Sequence, residues 1–327
     1  MAPFASSDCQ ALREKWRSAA RCVIRPRSAR AATPSEYAAC VPEGDTIHKL
    51  AAVLAGELVG RELSGGRVRV RPDVVLAARR VESVAARGKH LFVELGPRDT
   101  GVNDDGLVVQ SHLGLHGGWY RFRPGEPWTR GPRGAQRDLA PRADLVLETA
   151  QLVYVCHQPK EVALLARGDA QRFVAARRLG PDLVDGAPSA AELHVRMTSL
   201  AAPDAPLVDV LLDQRIAAGI GNVHAQEALF GERLHPLTPW RSLADGRLFA
   251  LFERARLQLT ANLGPGPRTT RAVADGRGAL FVYGRAGEPC FECGAPLEHG
   301  RLGRVRRATT WCAHCQPAWD ALGRSNS

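Results

Sequence analysis

Cys290-Phe291-Glu292-Cys293, then 18 residues, then Cys312-Ala313-His314-Cys315: two C-x2-C pairs stand near the C-terminal end of the sequence. Each pair suits a tight turn, and four thiolates at this spacing can surround one tetrahedral zinc, as in a zinc ribbon. Two disulfides or a redox dithiol are the rival readings, but nothing else points to an oxidising compartment and a thioredoxin-like βαβ context is missing. A four-thiolate site has no vacant coordination position, so its metal is structural and would fold a tail too small to bury a core alone. The remaining cysteines are scattered: Cys9, Cys22 and Cys40 near the start, and Cys156 in an apolar run. There a core thiol outweighs a nucleophile.

Working outward, the 327 residues are 45% apolar and 24% charged, enough for about two globular domains. No uncharged apolar run approaches the ~18 to 20 residues of a bilayer span, which excludes an integral membrane protein. Lys plus Arg number 44 against 34 Asp plus Glu, a net +10 that favours a polyanionic partner, nucleic acid first. Lysine occurs only at Lys15, Lys49, Lys89 and Lys160, so each draws attention. Residues 1 to 40 carry seven basic and three acidic side chains among Ala and Ser, without periodicity, and are expected to be disordered. No apolar block follows their basic stretch, so a secretory signal is not expected, and a transit peptide fits the composition without independent support. The chain beyond them stays basic, at +6.

The rest divides into segments and predicts an α+β multidomain protein. Ile47, Leu50, Ala51, Leu54 and Leu58 recur at helical spacing, with Asp45 or Thr46 as the cap and Gly60 as the stop. Short β-like runs follow, Arg67 to Val70, Leu91 to Leu95, Leu107 to Gln110, Leu145 to Glu148 and Leu152 to Cys156, which predict a sandwich or barrel. The Pro/Arg-rich stretch from Arg121 to Arg142 reads as a mobile loop. From about Ala175 helical patterns take over, notably Leu207, Val210, Leu211 and Gln214, then Gly219 and Gly221, then a helix from Val223 to about Arg233.

Four motifs in one order carry a resemblance: Pro42-Glu43-Gly44-Asp45-Thr46-Ile47, Arg87-Gly88-Lys89, Asp213-Gln214-Arg215 with Gly219-Ile220-Gly221-Asn222, and Val282-Tyr283-Gly284-Arg285 leading into the four cysteines. The chain resembles the formamidopyrimidine-DNA glycosylase and endonuclease VIII family, closest to the endonuclease VIII branch, over essentially residues 42 to 317. The resemblance implies a leader or mis-assigned start over 1–41, a catalytic helix plus β-sandwich over 42–170, and a helix-two-turns-helix domain over 175–279. A zinc finger over 280–317 and a tail over 318–327 complete it. It also implies one structural Zn2+, damaged DNA as partner, a monomer, and a bacterial cytoplasmic location at the nucleoid.

In that family an N-terminal proline attacks C1′ of the damaged nucleotide, which makes Pro42 the expected nucleophile. A proline inside a peptide bond cannot act so, because its nitrogen lone pair is delocalised into the carbonyl. Val41 precedes it, and GTG, a valine codon, also serves as a bacterial start codon. The expected mature chain therefore starts at position 41 and loses its initiator to free Pro42. In isolation Pro42 reads as an ordinary helix-entry proline. Glu43 is the expected proton carrier, and otherwise a solvated carboxylate favoured by the helix dipole. Thr46 departs from the pattern, because many members carry a second glutamate there; base excision is expected to be weaker or differently assisted than cleavage of abasic sites.

Lys89 matches the family's hairpin lysine on a phosphate, and alone would be a surface lysine. Asn222 is expected to open a helix as its cap and to hold a phosphate together with exposed backbone N–H groups. Arg215 stands where a basic residue is frequent, and Arg307 matches the finger arginine on the DNA backbone; ordinary surface arginines are the bland alternative. In His112-Leu113-Gly114-Leu115-His116-Gly117, Leu115 is the expected wedge that fills the gap left by an extruded base. The implied activity is a bifunctional DNA glycosylase/AP lyase, acting on oxidised bases, with pyrimidines the expected class, and on abasic sites. A catalytically silent DNA-structure binder on the same scaffold is the alternative. A zinc-ribbon RNA or transcription accessory protein would leave the Pro-Glu-Gly and Gly-Ile-Gly-Asn motifs unexplained.

Overall fold

The computed structural model describes residues 24–25, 41–98, 104–130, 137–273 and 275–319; of 24, 25 and 130 it describes the backbone alone. Helix α1 (Gly44–Leu58) starts with Glu43 as its N-cap residue. The expected caps Asp45 and Thr46 therefore lie inside the first turn, where the Asp45 carboxylate is drawn to Arg268 instead. The apolar stripe of α1, Ile47, Leu50, Leu54 and Leu58, is buried. Each such leucine contributes about 1.5–3 kcal/mol by leaving water.

Two sheets enclose the core under that stripe. In chain order their strands are β1 (Ile24–Arg25), β2 (Gly65–Val68), β3 (Val81–Arg87), β4 (His90–Leu95) and β5 (Leu107–His112). After them come β6 (Gly118–Phe122), β9 (Ala143–Glu148), β10 (Val153–His157) and β11 (Glu161–Ala166). One sheet runs β1-β6-β10-β9-β2 and the other β11-β5-β4-β3. On β4 the alternation is plain: Leu91, Val93 and Leu95 enter the core between the sheets. On its other face His90 and Phe92 meet Phe173 edge-on, a residue of helix α2 (Asp169–Ala176). Strands β9 and β10 are covered on both sides, Leu145, Leu147 and Tyr154 facing the main core and Val146, Val153 and Val155 a second one. This explains their nearly unbroken apolar runs. Cys156 is a fully buried core thiol, and burial pushes it well above the ordinary range.

Four strands of the two sheets, β1, β3, β6 and β11, go beyond the expected set, and the helical part starts at Asp169 rather than near Ala175. The stretch expected as a loop from Arg121 holds the end of β6, a short pair of β7 (Thr129–Arg130) with β8 (Arg137–Asp138), and a 3-10 turn at Ala140–Arg142. Residues 131–136 lie outside the described residues, as do Cys9, Cys22, Cys40 and the leader apart from β1. That two-residue strand pairs parallel to Trp119 and Tyr120 of β6, so the leader is not wholly without regular structure. Every other described element lies C-terminal to Pro42.

The helical half packs α3 (Ala190–Leu200), α4 (Leu207–Leu212), α5 (Asn222–Gly231) and α6 (Asp245–Ala261) around Met197, Leu211, Leu229, Trp240, Phe252 and Leu259. A capping box of Ser189 with Glu192 starts α3. Between α4 and α5 the chain makes two tight turns, held by Gln214, whose Oε1 accepts from Gly219 N–H and whose Nε2 donates to Ile220 O. The last element is an antiparallel hairpin of β12 (Glu298–Leu302) and β13 (Arg307–Trp311). It sits over a small core of Phe230, Val282, Cys290, Leu297 and Cys312. Phe291, between two of the cysteines, lies under the guanidinium groups of Arg271 and Arg285.

Candidate active site

Three glycine-bearing turns meet at the entrance of α1. Gly44 N–H donates to Gly219 O at 2.9 Å, and a Cβ on Gly44 would lie 2.8 Å from Gly219 Cα. Gly88, at φ +57°, presses on Ala218, whose Cβ a side chain there would approach to 2.9 Å. Its N–H donates to Asp182 Oδ2 at 2.5 Å, the carboxylate oxygen that His48 Nε2 of α1 also meets, at 2.9 Å. Only glycine lets three backbones come so close. The motifs around Pro42, Lys89 and Asn222, separate in sequence, are thereby packed into one junction.

Glu43 is fully buried and its carboxylate spans that junction. Oε1 accepts from Val223 N–H at 2.7 Å, and Oε2 from Gly221 at 3.1 Å and His224 at 3.2 Å. A helix N-terminus holds an anion here, and the anion is the chain's own side chain. This corrects the expectation that these N–H groups are free for a DNA phosphate. Asn222 is also not the cap: Gly221 is, while Asn222 opens the helix and its Nδ2 donates to Ala308 O of β13 at 2.8 Å.

Behind Glu43 lies a second buried charge pair. Arg268 donates from Nε to Asp45 Oδ2 at 2.8 Å and from Nη2 to Oδ1 at 2.5 Å. Burial pushes the Asp45 carboxyl up, and Arg268, with His224 beside it, more than offsets this and holds it well below the carboxylate range. Nη2 also reaches Thr46 Oγ1 at 2.9 Å and the carbonyl of Val41 at 3.0 Å. The His224 ring is fully buried with Nε2 at 3.5 Å from Asp45 Oδ2 and 4.0 Å from Glu43 Oε2. Neither of its nitrogens has a hydrogen-bond partner among the described residues.

Lys89 follows the Gly88 turn, half-buried. Loss of solvation lowers its ammonium to about 8, Glu43 acting against this and Arg307 and Arg268 with it. Those influences place Lys89, Glu43, Arg268 and Arg307 in one electrostatic neighbourhood. Arg307 is exposed at the start of β13. Its strand is set by α5, since Gln226 Oε1 accepts from Thr310 N–H and its Nε2 donates to Ala308 O. The hairpin tip is fixed by Asp209 of α4, which accepts from Arg304 N–H.

Of the other expected residues, Leu115 is 58% exposed in the β5–β6 turn. The register His90↔His112 sets that turn beside the one carrying Lys89. Arg215 is not brought in; its guanidinium is forked onto Asp213 at 2.6 and 2.9 Å. The Sγ atoms of Cys290, Cys293, Cys312 and Cys315 all lie within 4.8 Å of one another, with Cys290–Cys315 at 3.9 Å and Cys293–Cys312 at 3.4 Å. Tetrahedral thiolates about 2.3 Å from a zinc stand roughly 3.8 Å apart, so the cluster fits a metal ion. His48, Asp182 and Asp185 also cluster, but Asp182 is taken by Gly88, Val184 and His48, and Asp185 by Arg87, which makes this trio a clasp.

Sequence reasoning missed Arg268, Asp182 and His224. The basic run Arg268-Thr269-Thr270-Arg271 was a signal for the first; Asp182 carried none. Two cavities, of about 600 Å³ between the outer face of β3–β5 and α2 and about 1000 Å³ between α1 and β6–β10, lie away from Pro42.

Residues 179–272 match the formamidopyrimidine-DNA glycosylase H2TH domain family. The DNA-(apurinic or apyrimidinic site) lyase Nei2 of Mycolicibacterium smegmatis is 36% identical over 285 residues, 85% of this chain and all of the relative. A probable endonuclease 8 2 of Streptomyces coelicolor is 36% identical over 87% of this chain and 98% of its own. In fold, the chain is similar to the Lactococcus lactis formamidopyrimidine-DNA glycosylase bound to abasic-site DNA, with TM-score 0.66 at 18% identity, over 84% of this chain and all of that one. On motif order, fold and full-length similarity, the chain belongs to the formamidopyrimidine-DNA glycosylase/endonuclease VIII family.

Proposed function

We propose that this protein is a bifunctional DNA glycosylase and abasic-site lyase of base excision repair, acting on oxidised bases, pyrimidines foremost, and on abasic sites. The observation that carries the reading is the junction itself: the nitrogen of Pro42 is fixed one residue from a carboxylate clamped by a helix N-terminus, with Lys89, Arg268 and Arg307 around it. Freed of Val41, the ring nitrogen is a secondary amine. It attacks C1′ as the base departs and the ring nitrogen sheds its proton; the C1′–O4′ bond then breaks, O4′ takes up a proton as the sugar opens, and the nitrogen lone pair closes an iminium. Loss of a C2′ proton then expels the 3′ phosphate, and a second elimination can follow on the 5′ side. Glu43 is the proton carrier. Lys89, Arg307 and Asn222 face phosphates, with Arg215 outside this group while Asp213 holds it. Leu115 fills the gap left by the extruded base.

The four cysteines would hold one zinc with structural chemistry only, keeping β12–β13 folded so that Arg307 is presented. The working unit comprises a sandwich domain over 42–170, a helix-two-turns-helix domain over 175–279 and a finger over 280–317, a monomer at the bacterial nucleoid. Residues 1–41 are dispensable for it. One observation favours the silent DNA binder for the unprocessed chain: there Pro42 is acylated, and Arg268 grips the Val41 carbonyl.

Borohydride trapping on abasic-site duplex separates the two, comparing the full chain with one starting at Pro42. A covalent adduct from the shorter form alone is the expected result. No adduct from either form overturns the enzyme reading, and intact residues 1–40 on mature molecules from the native host overturn the start at position 41.

A further inference from the structure

We infer that Arg268 is a catalytic residue for abasic-site cleavage: its guanidinium donates to the oxygen carried on the sugar carbon that Pro42 attacks. The inference rests on the reading of Pro42 as a free amine.

In the full chain Pro42 carries Val41 on its nitrogen. Its nitrogen is planar and bonded to the trigonal carbonyl carbon of Val41. An iminium joining the same nitrogen to C1′ has the same local geometry, so the carbonyl carbon stands in for C1′. The Val41 oxygen lies one bond, about 1.23 Å, from that stand-in. Arg268 Nη2 donates to this oxygen at 3.0 Å. A donor that reaches a substituent oxygen on the stand-in carbon is placed to reach an oxygen on C1′ itself.

A second, independent observation concerns the other end of the guanidinium. The Arg268 side chain is 1% exposed, and Nη1 has no acceptor among the described residues. Unsatisfied buried donors are rare, because such a group has given up water for nothing, and each calls for a reason such as a catalytic role. Asp45 locks Nε and Nη2 in a two-point fork, so the free edge cannot swing elsewhere. When Val41 is gone, the Nη2 hydrogen that it shared with Thr46 Oγ1 has only the threonine, at 2.9 Å, to compete with an incoming oxygen. One shared donor, Nη2, then stands beside the proline nitrogen, with the unsatisfied Nη1 on the same fixed, dry plane.

The opened sugar of an abasic site is an aldehyde at C1′. As the Pro42 amine adds, the N–C1′ bond forms and the carbonyl π pair moves onto oxygen, where negative charge develops against Arg268. The proton released from the ring nitrogen goes to that oxygen, giving a carbinolamine. The C1′–O bond then breaks, the oxygen takes a second proton from solvent and leaves as water, and the nitrogen lone pair completes the iminium. Arg268 gives up no proton in this sequence; Asp45 and Glu43 hold its guanidinium above its already high range against the opposing effect of burial. Fixed donors aimed at a developing oxyanion are the kind whose removal slows a reaction by about 10²–10³.

The test uses the chain starting at Pro42, which retains every described element except β1. Single-turnover borohydride trapping on abasic-site duplex is compared for wild type, Arg268→Gln and Arg268→Lys, beside affinity for a tetrahydrofuran duplex, which has no hydroxyl on C1′. Arg268→Gln is expected to slow adduct formation 10²- to 10³-fold while tetrahydrofuran affinity stays within about threefold. Arg268→Lys, which keeps the charge opposite Asp45, decides the matter if the glutamine variant fails to fold; it is expected to lose about tenfold in rate. Ethylguanidinium added to Arg268→Ala should restore part of the rate. Trapping by a folded variant within threefold of wild type overturns the inference, as does an equal loss in tetrahydrofuran affinity. Failure of the wild-type chain to trap at all overturns the reading of Pro42 instead.

Discussion

Glu43 and Glu227 are two buried carboxylates that each take three backbone N–H groups, and they differ in everything around those bonds. Glu227, on α5, accepts from Phe281, Val282 and Tyr283, each at 2.8 Å, and from the Thr270 hydroxyl. Its surroundings are saturated, and its partners all belong to the segment that leads from the helical half into the finger. Glu43 accepts across the junction of the sandwich and the helical half, from residues 178 to 181 positions away. Beside it stand Arg268 Nη1 and both ring nitrogens of His224, without a hydrogen-bond partner among the described residues. A carboxylate in a satisfied nest fastens two segments together. One in a nest bordered by unsatisfied donors and an acylated proline fits the reacting centre proposed above.

The sharpest way to break this comparison is to make the same substitution at both. Glu43→Gln and Glu227→Gln each turn an amide NH2 toward N–H donors, and each should cost about 1–3 kcal/mol of stability. For a domain of 150–250 residues that is a Tm loss of roughly 2–4 °C per kcal/mol. Strand cleavage should separate them: loss of a proton carrier at Glu43 is expected to slow it about 10²- to 10⁴-fold. Glu227→Gln should change it only a few-fold. Equal losses in cleavage by the two variants, measured at saturating abasic-site DNA, would show that both act merely as fasteners.

This pair also shows where the sequence was legible and where it was not. The order of layers, the helix after Pro42 and the cysteine quartet follow from local signals: periodicity, turn residues and spacing. Leu91, Val93 and Leu95 point inward because a strand has period two, and no tertiary knowledge is needed for that. Glu43 drew attention in the sequence as the expected proton carrier, but its clamp was not readable, because the clamp joins it to backbone groups nearly 180 positions away. For the same reason Asp45 looked like a helix cap. A short carboxylate at a helix start has that role by default, and only a buried guanidinium 223 positions on displaces it. β6 and β11 were passed over although Trp119, Tyr120 and Phe122 in the one and the run Val162 to Ala166 in the other are signals that strands usually give.

A smaller effect is expected when the finger is taken away. Its own core is Val282, Leu297 and the cysteine cluster, packed on Phe230 of α5, so a chelator, or Cys293→Ser, should unfold β12–β13 and leave the sandwich and helices standing. Arg307, with Arg304 and Arg306 beside it, would then no longer be held in place for the DNA contact proposed above. Affinity for abasic-site duplex should fall, and the salt dependence of log affinity should become shallower by about one to three units of slope. Adduct formation at saturating DNA should persist, because Pro42, Glu43 and Arg268 owe nothing to the metal. Loss of trapping at every DNA concentration would mean that the finger, like Glu43, belongs to the reacting centre.

The smallest effect concerns Lys89, which sits on the same border between fastening and chemistry. Loss of solvation brings its ammonium down to about 8 from the usual 10.5, with Arg307 and Arg268 adding to this and Glu43 and Asp45 opposing it. A lowered value means that the charge is lost as pH rises through 8, where an exposed lysine would keep it to beyond 10. If Lys89 binds a phosphate only when charged, affinity for a tetrahydrofuran duplex should hold below pH 8 and fall by up to about tenfold between pH 7 and 9. Lys89→Arg, charged throughout, should flatten that profile. A wild-type affinity that stays level to pH 9 would place the Lys89 charge outside the interface and leave the phosphate contacts to the finger.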